Sequence, residues 1–291
     1  MCWMCEMYGE GGRWFFRPEL FARNMYTKKL HGQALKQHQA QPAPDPSSAG
    51  SDESVPEQRV PTQGDLRNIL ADEPERHPEA LKLFNENLRK GNDAVGQVVT
   101  LQEAHQIVDL GPPMASMGCM CRWMHRAYEE RNEMEFSCLG TGIGMFKTER
   151  WPERYKGGVH FMPPEEVKEW LTRWNEQGFM HLIMALPGGY IEGVCNCEYP
   201  ACLTIRNRLD MGIETLLKGH TVASIDYDVC NGCGICVQRC QYGAAKFEVR
   251  INKSNVDQLR CFGCGLCQTG CPRDAITMID REGMPGMKEV W

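Results

Sequence analysis

Between Cys230 and Cys271 a single spacing of cysteines occurs twice, and nothing else in the 291-residue chain restricts its folding as strongly. Cys230-Asn231-Gly232-Cys233-Gly234-Ile235-Cys236 is followed by Cys240, and Cys261-Phe262-Gly263-Cys264-Gly265-Leu266-Cys267 by Cys271-Pro272. Each half places three thiols at intervals of three residues on a tight loop and a fourth after three more. Such a loop can face three irons of one cubic cluster. Gly232, Gly234, Gly263 and Gly265 let backbone amides approach the cluster sulfurs, where they help set the reduction potential.

Across roughly residues 221 to 283 these paired halves resemble the 4Fe-4S dicluster ferredoxin family. The resemblance implies two 4Fe-4S clusters and electron transfer. In this bacterial spacing the fourth cysteine of each half ligates the other half's cluster. Cys230, Cys233, Cys236 and Cys271 are therefore expected on one cluster, and Cys261, Cys264, Cys267 and Cys240 on the second. Gln241 stands where the family has proline after the fourth cysteine, a change that touches loop rigidity and leaves the ligands in place. Four thiolates also suit zinc, but eight in this duplicated order favour the clusters.

Sixteen cysteines imply either disulfides outside the cell or thiolate ligands in a reducing compartment, and ligand spacing with no secretory leader at the start points to the second. The longest apolar runs, such as His181 to Leu186, fall far short of the roughly 20 residues that span a bilayer. With 32 basic and 38 acidic residues the chain offers no polybasic surface for nucleic acid. The expectation is a cytoplasmic protein with no transmembrane segment, free-standing or peripheral to a larger assembly.

Eight further cysteines lie upstream: Cys2, Cys5, Cys119, Cys121, Cys138, Cys195, Cys197 and Cys202. Cys119-Met120-Cys121-Arg122 and Cys195-Asn196-Cys197 with Cys202 are local groups, a pattern that suits metal better than disulfides in a reducing compartment. Together with Cys138-Leu139 and the terminal module they resemble a family of anaerobe iron-sulfur proteins described only as 4Fe-4S dicluster proteins, over roughly residues 95 to 283. That family usually carries one more cysteine before its Cys-Leu; Met134 to Phe136 holds none. Cys119, Cys121, Cys138, Cys195, Cys197 and Cys202 are thus candidates for an additional site, a third iron-sulfur cluster or zinc. Buried structural thiols and a redox-active dithiol are the alternatives. Cys2 and Cys5 form a CxxC that supplies half of a four-coordinate site, to be completed by Cys119 or its neighbours or by a partner chain.

The chain divides by composition into an aromatic and basic arm (1–32), a Pro/Ser/Gln-rich linker expected to be disordered (33–64), an α/β cysteine-containing domain (65–220) and the ferredoxin module (221–291). The fold class expected is α+β: a small α/β domain, a C-terminal two-cluster module and a flexible N-terminal arm able to dock on this chain or another. Pro18 is suited to open a helix running to Leu30. Residues 65–110 read as helical, with a capping box at Thr100 and Glu103. Strands are expected at Val159 to Met162, Phe179 to Leu186, Tyr190 to Cys195 and Thr221 to Tyr227. Helices are expected at Pro164 to Gln177 and Pro200 to Leu217. The glycines of Gly140-Thr141-Gly142-Ile143-Gly144 lack the context of a nucleotide-binding loop. His125 and His160 read as structural or solvated.

These features point to an electron-relay subunit of an anaerobic oxidoreductase complex, a hetero-oligomer whose partners are redox proteins that donate and accept electrons. From Asp226 to Glu282 seven acidic and seven basic residues balance, unlike the acidic surplus of a freely diffusing carrier. Two rival readings stand beside it. One is an oxidoreductase with its own active site at an extra metal cluster within residues 95–217; the other is a scaffold that uses the arm for docking.

Overall fold

In the computed structural model, residues 2–21, 60–125, 136–142, 145, 159–284 and 286–287 are described. In chain order they form α1 (Trp3–Tyr8), α2 (Gln63–Asp72), α3 (His77–Leu88), β1 (Val95–Val99), α4 (Leu101–Asp109), β2 (Met114–Met117), α5 (Met120–His125), β3 (Cys138–Thr141), β4 (Val159–Phe161), α6 (Pro164–Glu176), β5 (Met180–Ala185), β6 (Ile191–Cys197), α7 (Leu203–Met211) and β7 (Leu216–Leu217). The C-terminal module adds β8 (Thr221–Ile225), α8 (Ile235–Arg239), β9 (Ala245–Glu248), β10 (Lys253–Val256), α9 (Leu266–Thr269) and β11 (Ile276–Asp280).

β1 to β7 form a seven-stranded sheet in the order β4-β2-β3-β6-β5-β1-β7, antiparallel except where β1 meets β7. Its two faces have separate tasks, because successive side chains on a strand point in opposite directions. One face carries Val95, Val99, Leu139, Ile183 and Val194 into a core with Ile107 of α4 and Val167, Trp170, Leu171 and Trp174 of α6. The other carries Val98, Met180, Leu182, Cys195 and Cys197 against Tyr242, Phe262 and Leu266 of the C-terminal module. α4 opens at the expected capping box: Thr100 Oγ1 accepts from the Glu103 amide at 3.2 Å, and the Thr100 amide donates to Glu103 Oε2 at 2.7 Å.

Several expectations are revised. Residues 95–99 form a strand within the stretch read as helical; all five are buried between two neighbours, and Gly96 and Gln97 break the apolar pattern that would have marked them. The helix expected from Pro200 to Leu217 occupies only Leu203–Met211, because Gly212 turns left-handed at φ +72 and the chain re-enters the sheet as β7. Pro18 opens a single 3-10 turn, Pro18–Leu20. The remainder of the expected helix and the expected linker up to residue 59 lie outside the described residues, and the linker's last two positions, Gln63 and Gly64, already belong to α2.

The N-terminal segment is not a free arm. Trp14 and Phe15 are wholly buried in the sheet's helical-face core, where side chains of this size contribute roughly 1.5–3 kcal/mol each. Arg13 pairs with Glu103 on α4 and, at 3.3 Å, with Asp280 on β11, so the segment bridges the two parts of the chain. Arg13 thus serves an intramolecular dock, while Arg17 pairs with Glu10 within the segment at 2.8 Å.

Beneath α6 a buried polar string runs from Asn175 Nδ2 to His181 Nε2 (3.1 Å), from His181 Nδ1 to Asn196 Oδ1 (2.6 Å) and from Asn196 Nδ2 to the Ser137 carbonyl (2.8 Å). Desolvation of the fully buried ring holds the His181 pKa down at about 4. The unfolded chain therefore binds a proton that the native ring refuses between about pH 6.5 and 4, and stability falls as pH falls through that window. In urea titrations the wild type should lose about 1.4 kcal/mol per pH unit more than His181→Gln between pH 6 and 4.5. Parallel pH profiles would contradict this account of the string.

Candidate metal centres

Two matched halves build the C-terminal module: β8 leads through a cysteine loop to α8 and β9, and β10 leads through the second loop to α9 and β11. The halves interlock by pairing β8 with β11 and β9 with β10, both antiparallel. Gly232 and Gly263 occupy equivalent places at φ +75 and +77. A Cβ there would fall 2.3 Å from the Asn252 carbonyl oxygen and 2.2 Å from that of Thr221, so each loop presses on a strand too closely for any side chain.

Cys230, Cys233, Cys236 and Cys271 line one cavity of about 320 Å³, and Cys240, Cys261, Cys264 and Cys267 line a second of about 360 Å³. In each, the fourth cysteine crosses over from the opposite half. Backbone amides point at the sulfurs: Ala244 to Cys240 Sγ at 3.2 Å, Ala275 to Cys271 Sγ at 3.4 Å and Gly263 to Cys261 Sγ at 3.4 Å. Among the described residues, no three of these thiols lie within 4.8 Å of one another, a separation suited to a multinuclear cluster and too wide for one ion. Burial pushes the thiols of Cys264 and Cys267 up, Cys267 to about 12. The donor set and the cavities fit 4Fe-4S clusters.

The six central cysteines converge on the sheet face that the module covers. Cys138 and Cys195 are cross-strand partners on β3 and β6, and Cys197 follows two places along on the same face. Cys119 comes from the turn between β2 and α5, Cys121 from the first turn of α5, and Cys202 is the N-cap of α7. Their thiols follow one another around a closed ring, each near enough to perturb the next: Cys119, Cys121, Cys202, Cys197, Cys195, Cys138 and back to Cys119.

Thiol hydrogen bonds from the two flanking members lower Cys119, Cys195 (to about 6) and Cys202, and raise the alternate members Cys121, Cys138 and Cys197. The ring thus concentrates thiolate charge in a buried place. Here too no three sulfurs lie within 4.8 Å of one another. Arg122, 2 % exposed, stands beside it, hydrogen-bonded to Ser137 Oγ and to Glu198 Oε1 at 3.3 Å, while its buried Nε has no acceptor among the described residues. A cluster sulfide would supply one, so this donor set also fits an iron-sulfur cluster.

Ring and second cavity adjoin. Tyr242 lines that cavity, feels the charges of Cys264 and Cys240 together with those of Cys202 and Cys197, and stacks on Phe262 with centroids 4.0 Å apart. Gln241 explains the missing proline: its Nε2 donates to the Gly178 carbonyl at 2.8 Å, and its Oε1 accepts from the Tyr199 amide at 2.8 Å. It thereby ties the Cys240 loop to the start of β5 and to the segment between Cys197 and Cys202. Arg239 continues the seam, donating to the Asn175 and Glu176 carbonyls at the C-terminal end of α6.

All sixteen thiols are visible as candidates in the sequence, but two of their partners are not. His220 reaches Cys5, with its Nε2 3.3 Å from the sulfur, and Gln97 lies against Cys2. A lone histidine before a strand carries no spacing signal. Cys2 and Cys5 do not join Cys119 and its neighbours. Of the weaker candidates, His160 is exposed and paired with Glu166 at 3.2 Å. Gly140 and Thr141 belong to β3, where Met145 fills the space a Cβ would need; Ile143, Gly144 and the His125 side chain lie outside the described residues.

A duplicated four-cysteine module of this architecture is a ferredoxin-type iron-sulfur domain. Residues 223–272 match the family model of the 4Fe-4S dicluster domain, which supports iron-sulfur clusters, an electron-transfer role and redox partners. No curated protein matches the chain. Among the described residues no helix is long and apolar enough to cross a membrane.

Proposed function

We propose that the chain is the electron-relay subunit of a larger anaerobic oxidoreductase complex, with one 4Fe-4S cluster on Cys230, Cys233, Cys236 and Cys271 and a second on Cys240, Cys261, Cys264 and Cys267. A third cluster belongs to the ring of Cys119, Cys121, Cys138, Cys195, Cys197 and Cys202. The observation that carries this reading is adjacency: Cys195, Cys197 and Cys202 of the ring pack in one cluster with Tyr242, Phe262 and Cys264, and Cys240 links that cluster to the module's own, where Cys236, Cys261 and Cys271 pack. When bound, such clusters supply reversible one-electron chemistry at potentials tuned by charge, hydrogen bonds and exposure. The chain's own groups do the tuning: amides of Ala244, Ala245 and Ala275 donate to ligand sulfurs, and Arg122 sets a cation beside the ring. The sixteen free thiols suit a reducing, cytoplasmic setting.

The partner-facing end is the first cavity. Cys233 is exposed there, and the hairpin joining β9 to β10 lies beside its loop, with Asn252 against Gly232 and Lys253 Nζ bonded to the Cys230 carbonyl. That hairpin shows Val249 at 79 % and Ile251 at 53 % exposure, apolar side chains suited to a redox subunit's apolar face. Replacing both with aspartate should strip the co-purifying redox subunits from affinity-tagged protein while its iron content stays constant. An intact complex would remove the hairpin from the interface.

Iron and sulfide analysis of anaerobically purified protein, with electron paramagnetic resonance on stepwise reduction, tests the whole reading. Three clusters require about twelve irons and three reducible spin systems. About eight irons would leave the ring without a cluster, and no reducible signal at all would end the electron-relay proposal.

A further inference from the structure

The CxxC at the start of the chain belongs to none of these centres, yet it is fully enclosed. Cys2, Cys5 and His220 are 1 %, 0 % and 3 % exposed, and their ligand atoms all lie within 4.8 Å of one another, the one such group of His, Cys, Asp and Glu among the described residues. Cys2 Sγ stands 3.2 Å from Cys5 Sγ, and Cys5 Sγ 3.3 Å from His220 Nε2. A tetrahedral zinc with Zn–S of about 2.3 Å and Zn–N of about 2.0–2.1 Å has S···S and S···N edges of about 3.8 and 3.6 Å. The observed triangle needs only a slight outward relaxation to admit that ion, whereas the thiols of the other centres are spread too widely for it.

We infer that Cys2, Cys5 and His220 form a mononuclear zinc site, distinct from the iron-sulfur centres, that clasps the N-terminal segment onto the junction of the sheet and the ferredoxin module. Two separate parts of the chain deliver the ligands. Cys2, the N-cap of α1, and Cys5 within that helix supply the thiols. His220 lies between β7 and β8, where its carbonyl accepts from the Arg281 amide at 2.8 Å and its ring meets Phe15 edge to face at 5.7 Å. Gln97 of β1 supplies the neighbouring wall: its Oε1 is 3.9 Å from Cys2 Sγ and accepts from Trp14 Nε1, and its Nε2 donates to the Lys218 carbonyl at 3.0 Å. Once Cys2 is a thiolate this oxygen has one lone pair to spare, which suits it to a fourth position.

Zinc suits two thiolates and an imidazole in closed surroundings, and binding releases the thiol protons. A redox dithiol would need neither the third ligand nor the burial. The ion's task is structural, joining residues 2–21 to the link between β7 and β8, where the sheet meets the module that Arg13 also reaches.

Zinc content and zinc-edge X-ray absorption of the intact wild-type protein, purified anaerobically without chelator, provide the test. About one zinc per chain is expected, with two sulfurs at about 2.3 Å and the remaining shell nitrogen or oxygen near 2.0–2.1 Å. Cys5→Ser and His220→Gln should each lose the zinc with iron and sulfide unchanged, and trypsin should cut after Arg13 more than about tenfold faster. Absence of zinc, iron in its place, an all-sulfur shell, or zinc retained in both variants would overturn the assignment. The absorption measurement stands without any variant, and its outcome is separate from the iron count that decides the relay proposal.

Discussion

Stripping iron from the reduced protein with a chelator should unfold residues 221–284 while the helical-face core of the seven-stranded sheet stays folded. That core has no member beyond Leu217, so its apolar burial does not depend on the clusters. The module's own core is smaller and interleaved with its ligands: Val222, Ile276 and Met287 are buried there beside Ala223, Ala244, Cys236 and Cys261, and Cys240, Cys267 and Cys271 pack against them. Without iron, cavities of about 320 and 360 Å³ lose what their walls pack against. Void left in a folded interior costs roughly 24 cal/mol per Å³, and it works against a whole-domain stability of only about 5–15 kcal/mol.

Thiols add to the cost, since burial holds Cys264 and Cys267 protonated where the clusters would take thiolates. Hydrogen-exchange mass spectrometry should therefore show protection across β8 to β11 falling on the order of a thousandfold on iron loss, with β5 and β6 little changed on the side facing α6. Protection in β8 to β11 that survives iron loss would mean that the loops hold themselves up, and the fit of the cavities to clusters would lose its energetic basis.

The sheet is the organising element because its two faces separate stability from chemistry. Leu139, Ile183 and Val194 point into the helical core, while Cys138, Cys195 and Cys197, displaced by one residue along the same strands, point towards the ferredoxin module. A one-residue slip of register between β3 and β6 would exchange the two sets. The ring is therefore fixed by strand register, and the His181–Asn196 bond on the opposite face is one of the interactions that hold it.

This explains what could be read from sequence. The ferredoxin cysteines were legible because a ligand loop is local: spacing, glycine and proline all lie within a dozen residues. The ring's members were legible as candidates, since Cys119-Met120-Cys121 and Cys195-Asn196-Cys197 are local pairs, but their closure depends on contacts from Cys138 and Cys202 that no spacing encodes. β1 was hidden because Gln97, buried to bind Trp14 and the Lys218 carbonyl, reads as a surface residue. Arg13 and Arg17 among aromatics look like a docking peptide for the same reason; composition reveals an adhesive segment without revealing that its surface is on the same chain. Gln241 appeared as a departure from a motif, and only its bonds to Gly178 and Tyr199 give it a purpose.

Cys195→Ala is expected to remove about four irons and one spin system, with the two ferredoxin signals retained. Cys195 occupies the centre of the ring's sheet-borne edge, touching Cys138 across the strands and Cys197 along its own. Its thiolate accepts from both, so removing it leaves two buried thiols without that partner and opens the ring at the point where β3 and β6 meet. The ferredoxin cavities do not share this position, and Tyr242 and Phe262 stand between. Cys233→Ala provides the counterpart: it belongs to the first cavity, and its loss should abolish a ferredoxin signal while the ring keeps its irons. The two losses should be independent in iron content, because the sites share no ligand. They should not be independent in potential, because Tyr242 feels charge from both the ring and the second cavity, and an empty ring changes the electrostatic surroundings of Cys264 and Cys240. A shift in the midpoint of the remaining signals in Cys195→Ala, absent in a substitution on the helical face such as Val194→Ala, would mark the ring as part of the same redox unit. Unchanged iron content in Cys195→Ala would reduce the ring to a thiol cluster and confine the redox chemistry to the two ferredoxin cavities.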